Sequence, residues 1–217
     1  EGGSTTQIGY ARNLALYLIP KYGNIVAAFA ATGGEDPVSG TAVYLSLFGV
    51  VPGPTNNLLP AGLITYVHHH RVNQLTDGDQ SGPTIVGLPG HDGYVVIFSS
   101  TGTSSAGVYA RTYWGGNTSN AIRLFHNNNS THQPSLQHSC VAFADGIRFI
   151  CVWQNVDGNK IVFQSFNSAL SPLGGDDSNP IPVNTLYSSA EQQTAPILVR
   201  GGGDLFFVVW NDHPISQ

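Results

Sequence analysis

The residues of this chain whose types could do chemistry are two cysteines, several histidines and a few paired aspartates. Cys140 and Cys151 fall opposite each other if the chain folds back about Asp145-Gly146, which makes them a candidate cross-strand disulfide for an oxidising compartment. Counting out from a two-residue turn puts them at a hydrogen-bonded pair, not the usual place for such a bridge; the alternative is two buried small apolar residues. His68 and His70 would share one face of a strand, and His132 and His138 lie before the next hairpin. Neither pair has a cysteine or acidic partner at metal spacing, so they read as surface or loop histidines and no cofactor is expected. Asp77-Gly78-Asp79 and Asp176-Asp177 lack the run of oxygen ligands of a calcium loop and read as turn formers. Trp114 offers either a stacking platform for a sugar or a cover for a sheet edge. Asn117, Asn128 and Asn129 each begin an N-x-Ser/Thr triplet and are candidate glycosylation sites. No H-E-x-x-H, G-x-S-x-G or phosphate-loop pattern occurs, so the chain is expected not to be an enzyme.

The elements that carry these residues are short strands. In 217 residues only 10% are charged, while Gly, Asn, Ser, Thr, β-branched and aromatic residues are plentiful. That composition favours an all-β domain with many turns. With a net charge of -5 and no basic stripe, nucleic acid is not an expected partner, and no apolar run is long enough to span a bilayer. The chain has no Met and no visible signal peptide, so it reads as a processed or excised segment.

Ser139 to Gln154 shows the plan. Two apolar runs flank Asp145-Gly146, and the second, Phe149 to Trp153, is apolar on both alternating faces, as in a strand covered from both sides. Its closing aromatic recurs as Phe29, Phe98, Trp153 and Trp210, the core column of a repeat. Thirteen positions earlier stand Leu16, Ile85, Cys140 and Ile197; two positions earlier stand Ala27, Val96, Cys151 and Val208. Third strands follow at Val43 to Phe48, Val108 to Tyr113 and Ile161 to Phe166, and shorter fourth runs at Leu63 to Val67, Ala121 to Phe125 and Ile181 to Val183. The links agree too: Val72-Asn73 leading to Gln80 and Pro83 parallels Val183-Asn184 leading to Gln193 and Pro196. Residues 1–217 thus form one repeat domain with units at about 14–78, 79–133, 134–192 and an incomplete 193–217. The fold class is all-β, a β-propeller-like array of about four short antiparallel sheets, with a β-sandwich as the alternative.

Asp145-Gly146, Cys151-Val152-Trp153, Pro172-Leu173-Gly174-Gly175, Val183-Asn184-Thr185 and Gly107-Val108-Tyr109-Ala110-Arg111 together resemble the fifty-residue repeats of large bacterial secreted and surface proteins, adhesin-like or toxin-like in organisation. The resemblance implies a β-repeat fold and an extracellular or cell-surface setting, with no chemistry to carry over. The regular acidic, Gly-rich calcium nonapeptides that often accompany such repeats are missing here.

The last unit stops after its second strand. Ile8, Gly9, Tyr10, Ala11 and Arg12 share Tyr-Ala-Arg with a third strand, so they are candidates to complete it, within the chain or in a neighbouring copy. The expectation is a non-catalytic extracellular structural or adhesive module, a filament or appendage subunit joined by strand complementation. The alternative is a lectin-like propeller. Expected partners are copies of itself or surface glycans.

Overall fold

The computed structural model describes residues 11–21, 23–32, 40–51, 63–74, 77–102, 107–114, 117–124, 134–155, 160–174, 180–183 and 191–214. It is all-β, a propeller-like array of four antiparallel sheets. Sheet 1 holds β1 (Ala11–Ile19), β2 (Asn24–Thr32), β3 (Thr41–Val51) and β4 (Leu63–Arg71) in that order. Sheet 2 holds β5 (Gln80–Leu88), β6 (Gly93–Ser100) and β7 (Gly107–Trp114), with β8 (Asn117–Thr118) and β9 (Ile122–Arg123) both on β7. Sheet 3 repeats this with β10 (Pro134–Ala142), β11 (Arg148–Asn155) and β12 (Lys160–Asn167), followed by β13 (Pro172–Leu173) and β14 (Ile181–Pro182). Among the described residues, sheet 4 has only β15 (Glu191–Arg200) and β16 (Phe206–Pro214). Residues 11–13 belong to β1 and residues 191–192 to β15, because both strands run on past a bulge.

The sheets stack in sequence order, β5 on β1 to β3, β10 on β5 to β7, and β15 on β10 to β12. Three apolar layers result. Val26, Ala28, Val43 and Leu45 of sheet 1 meet Tyr94, Val96, Phe98 and Tyr113 of sheet 2. Val95, Ile97, Val108 and Ala110 on the other side of sheet 2 meet Phe149, Cys151, Trp153 and Phe166. Ile150, Val152 and Ile161 on the other side of sheet 3 meet Leu198, with Phe206, Val208 and Trp210 packed around them. Alternate residues of one strand serve two different layers, so every residue of β6 is buried.

Polar ties also join neighbouring sheets. The Val43 N–H donates to Asn73 Oδ1 (2.9 Å), and Asn73 Nδ2 donates to Gln80 Oε1 (2.7 Å), all buried. The Ile161 N–H donates in the same way to Gln193 Oε1 (3.1 Å). These bonds give a physical reason for the similar links, since each satisfies an N–H that the preceding sheet would otherwise bury unpaired. The hairpin turns form a row at one end. Lys21 pairs with Asp92, the Gly90 N–H donates to the Gly146 carbonyl (3.1 Å), and the Ala144 N–H donates to Asp204 Oδ1 (3.1 Å).

The hairpin of sheet 3 differs from expectation at its turn. It closes at Phe143 and Arg148, where the Phe143 N–H donates to the Arg148 carbonyl (2.9 Å), and the Gly146 N–H donates back to the Phe143 carbonyl (3.1 Å). Asp145 Oδ1 accepts the N–H groups of Ile147 (2.9 Å) and Arg148 (3.1 Å), which opens the turn to four residues. The register is unchanged, but the hydrogen-bonded pairs exchange places with the others. Cys140 and Cys151 therefore face each other at a non-hydrogen-bonded pair, with Cα atoms 4.1 Å apart, joined as a disulfide.

Leu16 pairs with Ala27, Ile85 with Val96 and Cys140 with Cys151. In sheet 4 the partner of Val208 is Leu198, not Ile197. The Gly201 N–H donates to the Leu205 carbonyl (2.8 Å), leaving a three-residue turn where the others have four, and β15 slips by one residue. Of the core column, Phe98 and Trp153 are fully buried, whereas Phe29 and Trp210 are half-buried because they stand in the two end sheets.

Candidate functional site: a cleft at the bulges of the first strands

Each first strand breaks its register close to the closing aromatic. Asn13 and Leu14 are inserted opposite Phe29, Gly82 and Pro83 opposite Phe98, and Ala195 and Pro196 opposite Trp210. In sheet 3 the irregularity runs from Pro134 to His138, beside Trp153. The inserted residue is left-handed in the three simple bulges: Asn13 at φ 54°, Gly82 at φ 60° and Ala195 at φ 52°. A bulge of this kind kinks the strand and turns a peptide group away from the ladder. Glycine adopts such a φ freely, asparagine tolerates it, and alanine holds it at a cost, so the geometry of the sheet overrides residue preference at Ala195.

These bulges meet. An open cleft of about 550 Å³ is lined by Asn13 of β1, Ser81 and Gly82 of β5, His138 of β10, and Ala195, Pro196 and Ile197 of β15. Every sheet contributes through its first strand. Among the described residues, no carboxylate, lysine or arginine lines the cleft. His138 Nδ1 is 3.1 Å from Ser99 Oγ, which fixes the ring against sheet 2. Such a surface offers amide, hydroxyl and imidazole groups beside apolar walls, suited to a neutral polar ligand.

The residues singled out in the sequence lie elsewhere. Trp114 pairs with Gly93 at the far end of sheet 2 and sits 6.0 Å, ring to ring, from His91, so it is no part of the cleft. His70 is half-buried with Nε2 3.3 Å from the Tyr113 hydroxyl, a packing position. No group of three metal-ligating side chains occurs among the described residues. Asp79 Oδ1 accepts from both the N–H (2.7 Å) and the hydroxyl (2.9 Å) of Thr41, a tie between sheets 1 and 2. Gly78 packs on the Gly102 backbone so closely that a Cβ would lie 2.3 Å from its nitrogen. Ala11 and Arg12 pair with Ala31 and Ala30 in sheet 1, which uses them as strand and removes them from the candidates for completing sheet 4. Ile8, Gly9 and Tyr10 lie outside the described residues, as do Asn128, Asn129, His132 and Asp176-Asp177, while Asn117 is placed by its backbone in β8. Local patterns could not reveal the cleft, because it is assembled from backbone irregularities of four separate strands.

No family model and no curated protein sequence matches the chain. Solved structures do. An N-acetylgalactosamine deacetylase from F. plautii, in a complex with blood group B trisaccharide, superposes with a TM-score of 0.56 at 14% identity, covering 96% of this chain and 64% of that one. Hadza microbial sialidase Hz136 superposes with a TM-score of 0.53 at 9% identity, covering 91% of this chain and 41% of that one. The chain spans less than two thirds of either neighbour. At these identities the likeness is one of fold, and the fold is one that glycan-processing enzymes also use.

Proposed function

We propose that the chain is a non-catalytic extracellular adhesive module that holds a neutral saccharide in the cleft at the bulges. The observation that carries this reading is the convergence of all four first strands on one surface whose described residues are polar and apolar, with no carboxylate, lysine or arginine among them. Sugars present alternating hydroxyl and C–H faces, which backbone groups, Asn13, Ser81 and the Pro196 and Ile197 side chains can match. Both neighbours act on glycans by name, which agrees with the reading without deciding it. The non-catalytic part rests on the structural work done by the aspartates: Asp79 ties two sheets, Asp92 and Asp204 tie turns, and Asp145 shapes its own. The disulfide and the three sequons support the extracellular setting.

Asn13→Gly keeps the left-handed backbone and removes only the amide. On a glycan array followed by calorimetry, the unaltered chain is expected to bind neutral oligosaccharides, and this variant about tenfold less tightly, the worth of one hydrogen bond. Unchanged affinity in Asn13→Gly, or a change in the mass of the glycan on incubation, would overturn the reading.

A second reading, assembly by strand complementation, is favoured by the two-strand sheet 4, whose β16 has a partner on one side only among the described residues. With Ala11 and Arg12 spent in sheet 1, the donor within the proposed segment narrows to residues 8–10. Deleting residues 1–10 is expected to abolish association if this reading holds.

A further inference from the structure

The two ends of the stack carry exposed apolar faces. On sheet 4, Ile197, Val199, Phe207 and Val209 are 50–59% exposed. On sheet 1, Leu14, Leu16 and Leu18 are 56–64% exposed, beside the half-buried stacked pair Phe29 and Tyr44. Neither face is arbitrary. Phe207 and Val209 occupy the positions of Val26 and Ala28 in sheet 1, Val95 and Ile97 in sheet 2, and Ile150 and Val152 in sheet 3. At all three places those residues point at the next sheet. The open face of sheet 1 is the opposite half. Leu16, Phe29 and Tyr44 occupy the positions of Ile85, Phe98 and Tyr109, which point at the preceding sheet. Even the ring stacking repeats: Phe29 and Tyr44 lie 6.1 Å apart at 25°, Phe98 and Tyr109 5.8 Å apart at 18°.

We propose that a second copy of this chain covers these faces head to tail, the open face of sheet 4 in one copy packing on the open face of sheet 1 in the other. The interface would be a fourth instance of one the chain already makes three times. Such a contact is heterologous, so two copies close a ring of eight sheets where the rotation allows and an open file of copies forms where it does not. It uses sheet faces, not the β16 edge, and of the residues named for the cleft it involves Ile197 alone.

The test uses two variants at exposed positions, where a charge leaves the core untouched: Val209→Asp for the sheet 4 face and Leu16→Asp for the sheet 1 face. Sedimentation across a dilution series is expected to give at least twice the chain mass for the unaltered protein and a single-chain mass for each variant alone. Mixed in equal amounts, the variants still own one good face of each kind, so they are expected to form a one-to-one complex and nothing larger. An unaltered chain that stays single at every concentration overturns the proposal. So does a variant that associates by itself, which would mean like faces meet, or a mixture that stays single. Deleting residues 1–10 is expected to leave association unchanged; loss of association there assigns it to strand donation and overturns the proposal. Glycan binding by Val209→Asp, read in parallel, keeps this outcome separate from that of the cleft.

Discussion

Gly87 shows how closely sheets 1 and 2 approach. A Cβ built on it would lie 2.2 Å from the Tyr17 ring, so only the missing side chain lets that ring cross β5. Gly87→Val is expected to lower stability by about 1–3 kcal/mol in urea unfolding, as overpacking does. Tyr94 and Tyr113 stack 5.1 Å apart in the same layer. Burial, and then the neighbouring phenol, raises the pKa of Tyr94. Burial pushes Tyr113 up to about 12 against partial relief from Arg111. The folded chain therefore holds these protons to higher pH than the unfolded chain, whose phenols ionise near the usual 10.0. Their contribution is intact below pH 10 and is lost as pH rises toward 12, because the unfolded state then binds fewer protons. Thermal unfolding followed from pH 9 to pH 12 is expected to show a falling midpoint, with a shallower fall in Tyr113→Phe.

At the scale of the element, the turn decides more than the strand. Three hairpins close with four residues and one with three, and that single difference moves Leu198 into the place that spacing assigns to Ile197. Strands were legible in the sequence because a run apolar on both faces has one comfortable environment, between two others. The turns were not, because Asp145-Gly146 fits a two-residue turn until the carboxylate captures two N–H groups. Nor were the bulges, since Asn13 and Ala195 carry no sign of the left-handed backbone that a glycine such as Gly82 announces. The cross-link lies within one hairpin. Its loss in a Cys140→Ala, Cys151→Ala double variant is expected to cost about 2–4 kcal/mol without separating the sheets, measured by denaturant unfolding with near-ultraviolet dichroism as the check on packing. Between elements, Asn73→Ala would take from the buried Val43 N–H its acceptor and from Gln80 Oε1 the donor it has in Asn73. A loss of about 1–3 kcal/mol is expected by the same measurement.

Over the whole molecule, the array of short antiparallel sheets was visible in the chain, and the cleft was not. Repetition is carried by side chains that recur at similar spacing, whereas the cleft comes from peptide groups turned out of line at places about 55 to 70 residues apart in sequence. The stacking order has a further property. Among the described residues the extensive packing joins consecutive sheets, so stability divides chiefly into terms for single sheets and terms for adjacent pairs.

The row of layers has a weak end, where two strands lean on Ile150, Val152 and Ile161 through Leu198. Pulled between its termini in an optical trap, one molecule should therefore peel like a stack of cards, releasing β15 and β16 at the lowest force and the remaining leaves afterwards. A trace with several rips, the shortest first, is the mechanical signature of a pile fastened card to card.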